Sequence, residues 1–276
     1  MKEISAIQIK EAVSAGLLKA CCSLSSCVLS KIKIAKNEEK SALAKATLEQ
    51  IIENAEIADS ETLPMCQDTG IVTCFVEIGY DVHIACDLYE AINTGVKDAY
   101  ERYYFRKSVA HPLSRKNTGD NTPAIVHVKM VPGDKLKIML VPKGAGSENM
   151  SKLKMLNPTD GKQGIIDFVV SAVKEADGRP CPPIFLGIGI GGNFETAPMM
   201  AKEALARTER SSDPEIAELE ETILREVNKT NVGPMGLGGD TTCLDVFINT
   251  YPCHIASMPV AVNIQCHANR HVEVVL

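Results

Sequence analysis

Several things are missing from this sequence, and each absence excludes something. Positive charge is not in excess: 29 Lys and Arg stand against 35 Asp and Glu, for a net charge of −6. No electrostatic footprint for nucleic acid or for an anionic membrane surface follows from such a balance. No apolar run approaches the roughly 20 residues needed to span a bilayer. The N-terminus, MKEISAIQIKEAV, mixes charges into a helical pattern and lacks a basic stretch followed by an apolar one. No signal peptide is read, and a cytoplasmic protein is expected. Internal repeats and low-complexity linkers are absent. So is any C-x-x-C pair, which removes zinc-finger and ferredoxin signatures.

What remains is the composition of an ordinary globular chain, 45% hydrophobic and 23% charged over 276 residues. That length suffices for a sizeable core and for one large domain or two ordinary ones. There are ten cysteines, at 21, 22, 27, 66, 74, 86, 181, 243, 253 and 266. They are too sparse for a disulfide scaffold, so each is read as a thiol, and most as small buried hydrophobes. Cys22 and Cys27 share the C-x₄-C spacing of plant-type ferredoxins, but they lie in an apolar helical stretch and read as core.

Apolar positions recur at helical spacing over 4–30 and 37–58. GIVTCFVEIG (70–79) reads as a strand, and Asp87 starts a helix running to about Tyr104. After an irregular HPLSRKNTGDNTP come two strands, 124–131 and 135–142, joined by a Pro-Gly-Asp turn. Helices are expected near 163–177, 195–207 and 214–228. Strands are expected at 183–190, 243–250, 257–265 and 271–276. The fold class is α+β, with a helical N-terminal quarter, a mixed central part and a strand-rich C-terminal part. The chain is read as one domain over 1–276, with room for two subdomains but no visible boundary.

Three cysteines stand in unusual company. Cys66 lies in Pro64-Met65-Cys66-Gln67-Asp68-Thr69-Gly70, a polar turn just before a strand. Such side chains either hydrogen-bond locally, Asp68 merely capping the turn, or face a ligand. Cys181 is flanked by Pro180, Pro182 and Pro183, which stiffen the chain around it. It is a rigidly aimed ligand or a plain loop cysteine. Cys266 follows the apolar strand MPVAVNI and precedes His267, Ala268, Asn269, Arg270 and His271. Both histidines suit metal ligation, although solvated or supporting roles are commoner.

Two loops look suited to anions, 116–123 and 143–149, because glycines let backbone amides converge. Each taken separately is better explained as a tight hairpin loop. Gly187, Gly189 and Gly192 match G-x-G-x-x-G after a strand, with Asp213 further on. This is the dinucleotide-binding fingerprint. Too little chain follows for a complete two-half nucleotide fold, and the later strands read antiparallel.

Taken together, PMCQDTG, PLSRKNTGDNTPA, KGAGSENMSKLKML, CPPIFLGIGIGG, GPMGLGGDTT and HIASMPVAVNIQCHANRH occur in this order. The chain resembles the α subunits of two-subunit class I fumarases and, less closely, of L-tartrate dehydratase, over about residues 40–276. The resemblance implies a [4Fe-4S] cluster held by three widely spaced cysteines, which match Cys66, Cys181 and Cys266. It implies hydration of fumarate to L-malate, with tartrate dehydration as the alternative, and Gln67, Asp68, Arg106, Gly146 and His254 as contacts to a small dicarboxylic acid. Arg106 suits a carboxylate clamp, Asp68 proton transfer, and His254 donation to the substrate. Single-chain relatives continue past the point where this chain stops, which implies a separate β subunit that supplies the proton-abstracting base, in an α₂β₂ complex. Cys243, Cys253 and Asn193 depart from the family pattern. A binding or regulatory protein that kept the fold and lost catalysis is the competing class. The three cysteines and Gln67-Asp68 argue against it.

Overall fold

Ser5 opens the first helix, α1 (Ala6–Cys22), with a capping box. Its hydroxyl accepts from the Gln8 N–H at 3.4 Å, and the Gln8 side chain accepts from the Ser5 N–H at 2.9 Å. The long helical pattern expected over 4–30 breaks at 23–25, and α2 (Ser26–Glu38) follows as a separate helix. By length and composition alone, Ala6–Glu38 passes the test for a membrane-crossing helix. Its apolar side chains Ile9, Val13, Leu17, Ala20 and Ile32 are instead buried within the protein. Cys22 is buried in α1 and Cys27 half-buried in α2, so the ferredoxin-like spacing spans two helices.

The computed structural model describes residues 2–276. It divides into two units, the first made of Met1–Ser25, Asn54–Ala145 and Arg270–Leu276, the second of Ser26–Glu53 and Gly146–Asn269. The fold class is α+β, as expected.

In the first unit a short strand, β1 (Lys2–Ile4), pairs in parallel with β3 (Val82–Ile84). The main sheet has the order β10-β5-β2-β4. Its central strand, β2 (Ile71–Gly79), runs parallel to β4 (Ile125–Val131) and antiparallel to β5 (Leu136–Lys143). β10 (Val272–Val275) pairs antiparallel with β5. The Pro-Gly-Asp turn at 132–134 therefore does not close a hairpin. It carries the chain across the end of β2, where a Cβ on Gly79 would stand 2.2 Å from the Gly133 carbonyl oxygen. One face of the sheet is covered by α1 and α4 (Leu88–Arg102), with Ile9, Val13, Ile92 and Val96 on Val72, Cys74, Ile138 and Leu140. Each such buried aliphatic chain contributes about 1.5–3 kcal/mol. Asp87 caps α4, accepting from the Glu90 N–H at 3.0 Å.

α3 (Ala42–Glu61) carries the boundary at 53/54. The second unit also contains most of a one-turn helix, α5 (Ala145–Glu148), and the whole of a second sheet. That sheet has the order β6-β9-β7-β8. Its strands are β6 (Lys152–Leu156), β7 (Ile184–Gly191), β8 (Cys243–Tyr251) and β9 (Met258–Gln265). β8 runs parallel to β7, reached through α7 (Thr196–Ala204) and α8 (Pro214–Asn228), a crossover that the sequence did not announce. β9 is antiparallel to both β7 and β6. α6 (Gly161–Ala176) and α8 cover one face and α7 the other. Gly187 and Gly189 lie inside β7, where an added Cβ would meet the Ala201 and Ala197 carbonyl oxygens at 2.0 Å. They let α7 lie close against the strand. Only Gly192 is in the following turn, so the dinucleotide fingerprint lacks the glycine-lined phosphate turn it requires. Asn193 caps α7, its Oδ1 accepting from the Glu195 and Thr196 N–H groups at 3.0 and 2.8 Å.

Candidate active site

Most of the residues singled out by sequence gather at the start of the central strand in each unit. In the first unit the turn Cys66–Gly70 runs into β2. The Asp68 N–H donates to Cys66 Sγ at 3.4 Å. Asp68 Oδ1 accepts from the Gly70 N–H at 3.1 Å, and Oδ2 from the Ala145 N–H at 2.9 Å. Both carboxylate oxygens are thus aimed by backbone amides, tying the turn to the loop that follows β5. Gln67 is exposed beside them, its Oε1 3.5 Å from Cys66 Sγ. Arg106 is exposed, and among the described residues its guanidinium makes no ion pair. Its carbonyl accepts from Thr69 Oγ1 at 3.2 Å, which fixes it to the same turn.

In the second unit Cys181 precedes β7 and Cys266 follows β9. Because these strands are antiparallel, with Phe185 opposite Gln265, the two cysteines come to one end of the sheet. Cys181 is exposed and Cys266 half-buried. The Cys181 carbonyl accepts from both the ring Nδ1 of His267, at 3.0 Å, and the His267 backbone N–H, at 3.4 Å. The Cys266 N–H donates to Gln265 Oε1 at 3.1 Å, and Ser147 Oγ donates to the same oxygen at 3.0 Å. Gly146 sits in the exposed segment beside Ser147. A Cβ there would meet only the Arg179 carbonyl oxygen, at 3.5 Å.

His254 lies elsewhere. It is in the exposed turn between β8 and β9, and β8 is parallel to β7. It therefore stands at the opposite end of the second sheet from Cys181 and Cys266. At about 3.3 Å per residue along β7, the two ends are roughly 23 Å apart. His254 Nδ1 accepts from the Ala256 N–H at 3.1 Å, so its ring proton is on Nε2, which faces away as a donor. Cys253 Sγ, the spare thiol beside it, is turned to the Ser257 carbonyl at 3.1 Å.

The remaining cysteines divide by burial. Burial pushes the Cys21 and Cys74 thiols up to about 12 and also raises Cys22 and Cys243. Such thiols stay protonated and are poor ligands. Cys66, Cys181 and Cys266 are all at least partly accessible. Among the described residues, no three His, Cys, Asp or Glu side chains converge as they would on a single metal ion. The first candidate anion loop is closed on itself. Thr118, Gly119 and Thr122 give their N–H groups to the Val109 carbonyl, Asn117 Oδ1 and Asp120 Oδ1.

A family model described as fumarate hydratase (Fumerase) matches residues 10–275. The chain belongs to the fumarate hydratase family. It is 46% identical over 252 residues to a protein named putative L(+)-tartrate dehydratase subunit alpha from Methanocaldococcus jannaschii, covering 88% of each chain. It is 29% identical over 249 residues to the L(+)-tartrate dehydratase subunit alpha of Escherichia coli strain UTI89, covering 88% of this chain and 82% of that one. The K12 protein of the same name is 28% identical. These are hydro-lyase relatives, and the fumarate hydratase family model spans nearly all of the chain.

Two residues of this family member were not picked out by sequence reasoning. Arg270 is 2% exposed, and its Nη2 stands 3.6 Å from where a Gly144 Cβ would be, beside Asp68. Asn121 is fully buried. Its Oδ1 accepts from the Ser108 and Val109 N–H groups and its Nδ2 donates to the Gly70 carbonyl. The motifs containing both residues were legible, but nothing local distinguished a buried guanidinium or amide from a solvated one.

Proposed function

We propose that this chain is the α subunit of an iron–sulfur hydro-lyase that interconverts fumarate and L-malate, with Cys66, Cys181 and Cys266 as thiolate ligands of a [4Fe-4S] cluster. The observation that carries the reading is the meeting of Cys181 and Cys266 at one end of the second sheet. The accessible Cys66, whose sulfur accepts a backbone N–H, adds support. Soft sulfur donors suit iron–sulfur ligation. Held by three thiolates, such a cluster keeps one iron open as a Lewis acid toward a substrate hydroxyl.

The chain's own residues would bind and orient the acid. Dehydration of malate removes a proton next to one carboxylate and a hydroxyl from the neighbouring carbon. Negative charge builds up, and preorganised donors lower that barrier. Arg106 offers a guanidinium fork to a carboxylate, and Gln67 offers an amide beside Cys66. Asp68, with one lone pair of each oxygen already held, keeps the Gly144–Ala145 backbone in place and stands ready to exchange a proton. Gly146 leaves room for the ligand against the backbone. His254 would donate to the substrate, as the resemblance implies. A separate β subunit, in an α₂β₂ assembly, supplies the proton-abstracting base. The relatives' names, subunit alpha, support such a partner. A reducing cytoplasm would keep the thiols ready for iron.

Tartrate is the second reading, favoured by the names of the relatives. The two substrates differ by one hydroxyl, and a site built to bind that hydroxyl rejects the analogue lacking it strongly. The α and β chains are co-expressed and purified without oxygen, and kcat/KM is measured for L-malate and L-tartrate. A higher value for malate is expected. A higher value for tartrate overturns the fumarase reading and leaves the hydro-lyase standing.

A further inference from the structure

Cys181 is held in an unusual way. Its backbone is left-handed, at φ 55°, a region that residues with a side chain seldom occupy. Its N–H donates to the Gly178 carbonyl at 3.1 Å, and the neighbouring Pro182 carbonyl accepts from the Met235 N–H at 2.8 Å. Its own carbonyl takes two hydrogen bonds from one residue, the ring and backbone of His267. His267 directly follows Cys266. A carbonyl oxygen only accepts, so Nδ1 carries the proton and the ring is committed to this bond.

We propose that His267 is a positioning residue that presents Cys181 and Cys266 as a preformed pair of thiols. Cys181 comes from the loop before β7 and Cys266 from the end of β9. The ladder between those strands ends at Phe185 and Gln265, short of both cysteines. Beyond it, the bonds from His267 to the Cys181 carbonyl join the two segments. Gln265 fixes the other side of the Cys266 turn by accepting its N–H. His267 thus does for the thiol pair what a hydrogen-bonding partner does for a metal-bound histidine: it sets the direction of the ligand before the metal arrives. The proposal rests on the cluster reading for its purpose, but the juxtaposition itself does not need a cluster.

The test uses the full chain as wild type, His267→Asn and His267→Phe. Asn places an N–H donor where Nδ1 stands, whereas Phe keeps the ring and removes the donor. In the first arm the reduced, iron-free proteins are treated with dibromobimane, which fluoresces on bridging two thiols, and the bridged peptides are identified by mass spectrometry. A Cys181–Cys266 bridge is expected at similar rates in wild type and the Asn variant, and about tenfold more slowly in the Phe variant. In the second arm the anaerobically reconstituted proteins are challenged with an iron chelator, and loss of absorbance near 400 nm is followed. The Phe variant is expected to bleach about tenfold or more faster, with Asn near wild type. Equal bridging rates in wild type and Phe, or Asn as slow as Phe, overturn the proposal. A colourless wild type that still forms the bridge overturns the cluster reading and leaves the positioning role of His267 intact.

Discussion

The two sheets follow one plan under different cover. In each, a central strand has a parallel neighbour reached through helix, an antiparallel neighbour on its other side, and an antiparallel edge strand beyond that. In each, a cysteine precedes the central strand, Cys66 before β2 and Cys181 before β7, and the antiparallel neighbour ends beside it. The covering differs. Helices pack on both faces of the second sheet, and β7 is buried along nearly its whole length. In the first sheet α1 and α4 cover one face. Its other face carries Phe75 stacked on His127 and a half-exposed Glu77–Lys137 ion pair. What is common to the sheets places chemistry at one strand end, and what differs sets the sequence pattern. A strand buried on both faces reads as a continuous apolar run, and one buried on a single face alternates.

The largest effect expected is equal in the two sheets. Cys66→Ser and Cys181→Ser should each bring hydro-lyase activity and iron content to background. The buried thiols Cys74 and Cys243, one in each sheet, should not. Their Ser variants should keep the iron and lose about 1–3 kcal/mol of stability from burying a hydroxyl. Iron analysis and thermal melts on the four variants check this, and a difference between Cys66 and Cys181 would break the symmetry. Next comes Gly189→Ala, whose new methyl would meet the Ala197 carbonyl. It should cost about 3 kcal/mol in a urea melt, whereas Gly146→Ala leaves the midpoint unchanged and raises KM.

The elements themselves were largely legible. Helical spacing found the main helices, and β-branched runs found every strand of the two sheets except β6, the edge of the second. Asp87 marked its helix start, because caps act within one turn. Pairing was not legible. The Pro-Gly-Asp turn looks like a hairpin in any window, and only the long-range insertion of β2 between β4 and β5 shows otherwise. The two-unit division was hidden because the chain crosses the boundary at 25/26, 53/54, 145/146 and 269/270 without a linker. Of the candidate site, the polar turn holding Cys66, Gln67 and Asp68 could be read from its neighbours. The separation of His254 from Cys181 depends on β8 being parallel to β7, which no local signal carries.

A smaller effect sharpens the comparison through two amides with the same task. Asn121 in the first unit accepts two consecutive backbone N–H groups. So does Asn228 in the second, from Thr242 and Cys243 at 2.9 and 2.8 Å. Replacing either with Ala should cost about 2 kcal/mol by calorimetry. Only Asn121→Ala, which also removes one of the two hydrogen bonds to the Gly70 carbonyl, should lower kcat as well.

The smallest effect depends on pH and belongs to the second unit. Glu39 is 2% exposed. Burial alone would raise its pKa, but hydrogen bonds from the Ser41, Asp240, Lys40 and Thr241 N–H groups outweigh it and hold the carboxyl below its ordinary value. A lowered folded-state pKa adds stability above the unfolded value, near 4.3, and that stability is lost as pH falls through the folded value. Glu39→Gln should therefore lower the melting temperature at pH 7, and the difference should shrink as the pH falls below about 4.3. A constant gap between the two proteins from pH 7 to pH 3 would contradict this.

β4 has a consequence for handling the protein. It forms one edge of the first sheet, and Ile125, Val128 and Met130 are each more than 40% exposed along it. An open strand edge bearing apolar side chains is a template for pairing with another chain, and charges on it restrain that pairing. Lys129, between Val128 and Met130, is the one cation on this strand. Colloidal behaviour should hinge on that residue: Lys129→Val should turn a clear preparation turbid at concentrations the parent tolerates, and a second lysine at Val128 should extend its shelf life.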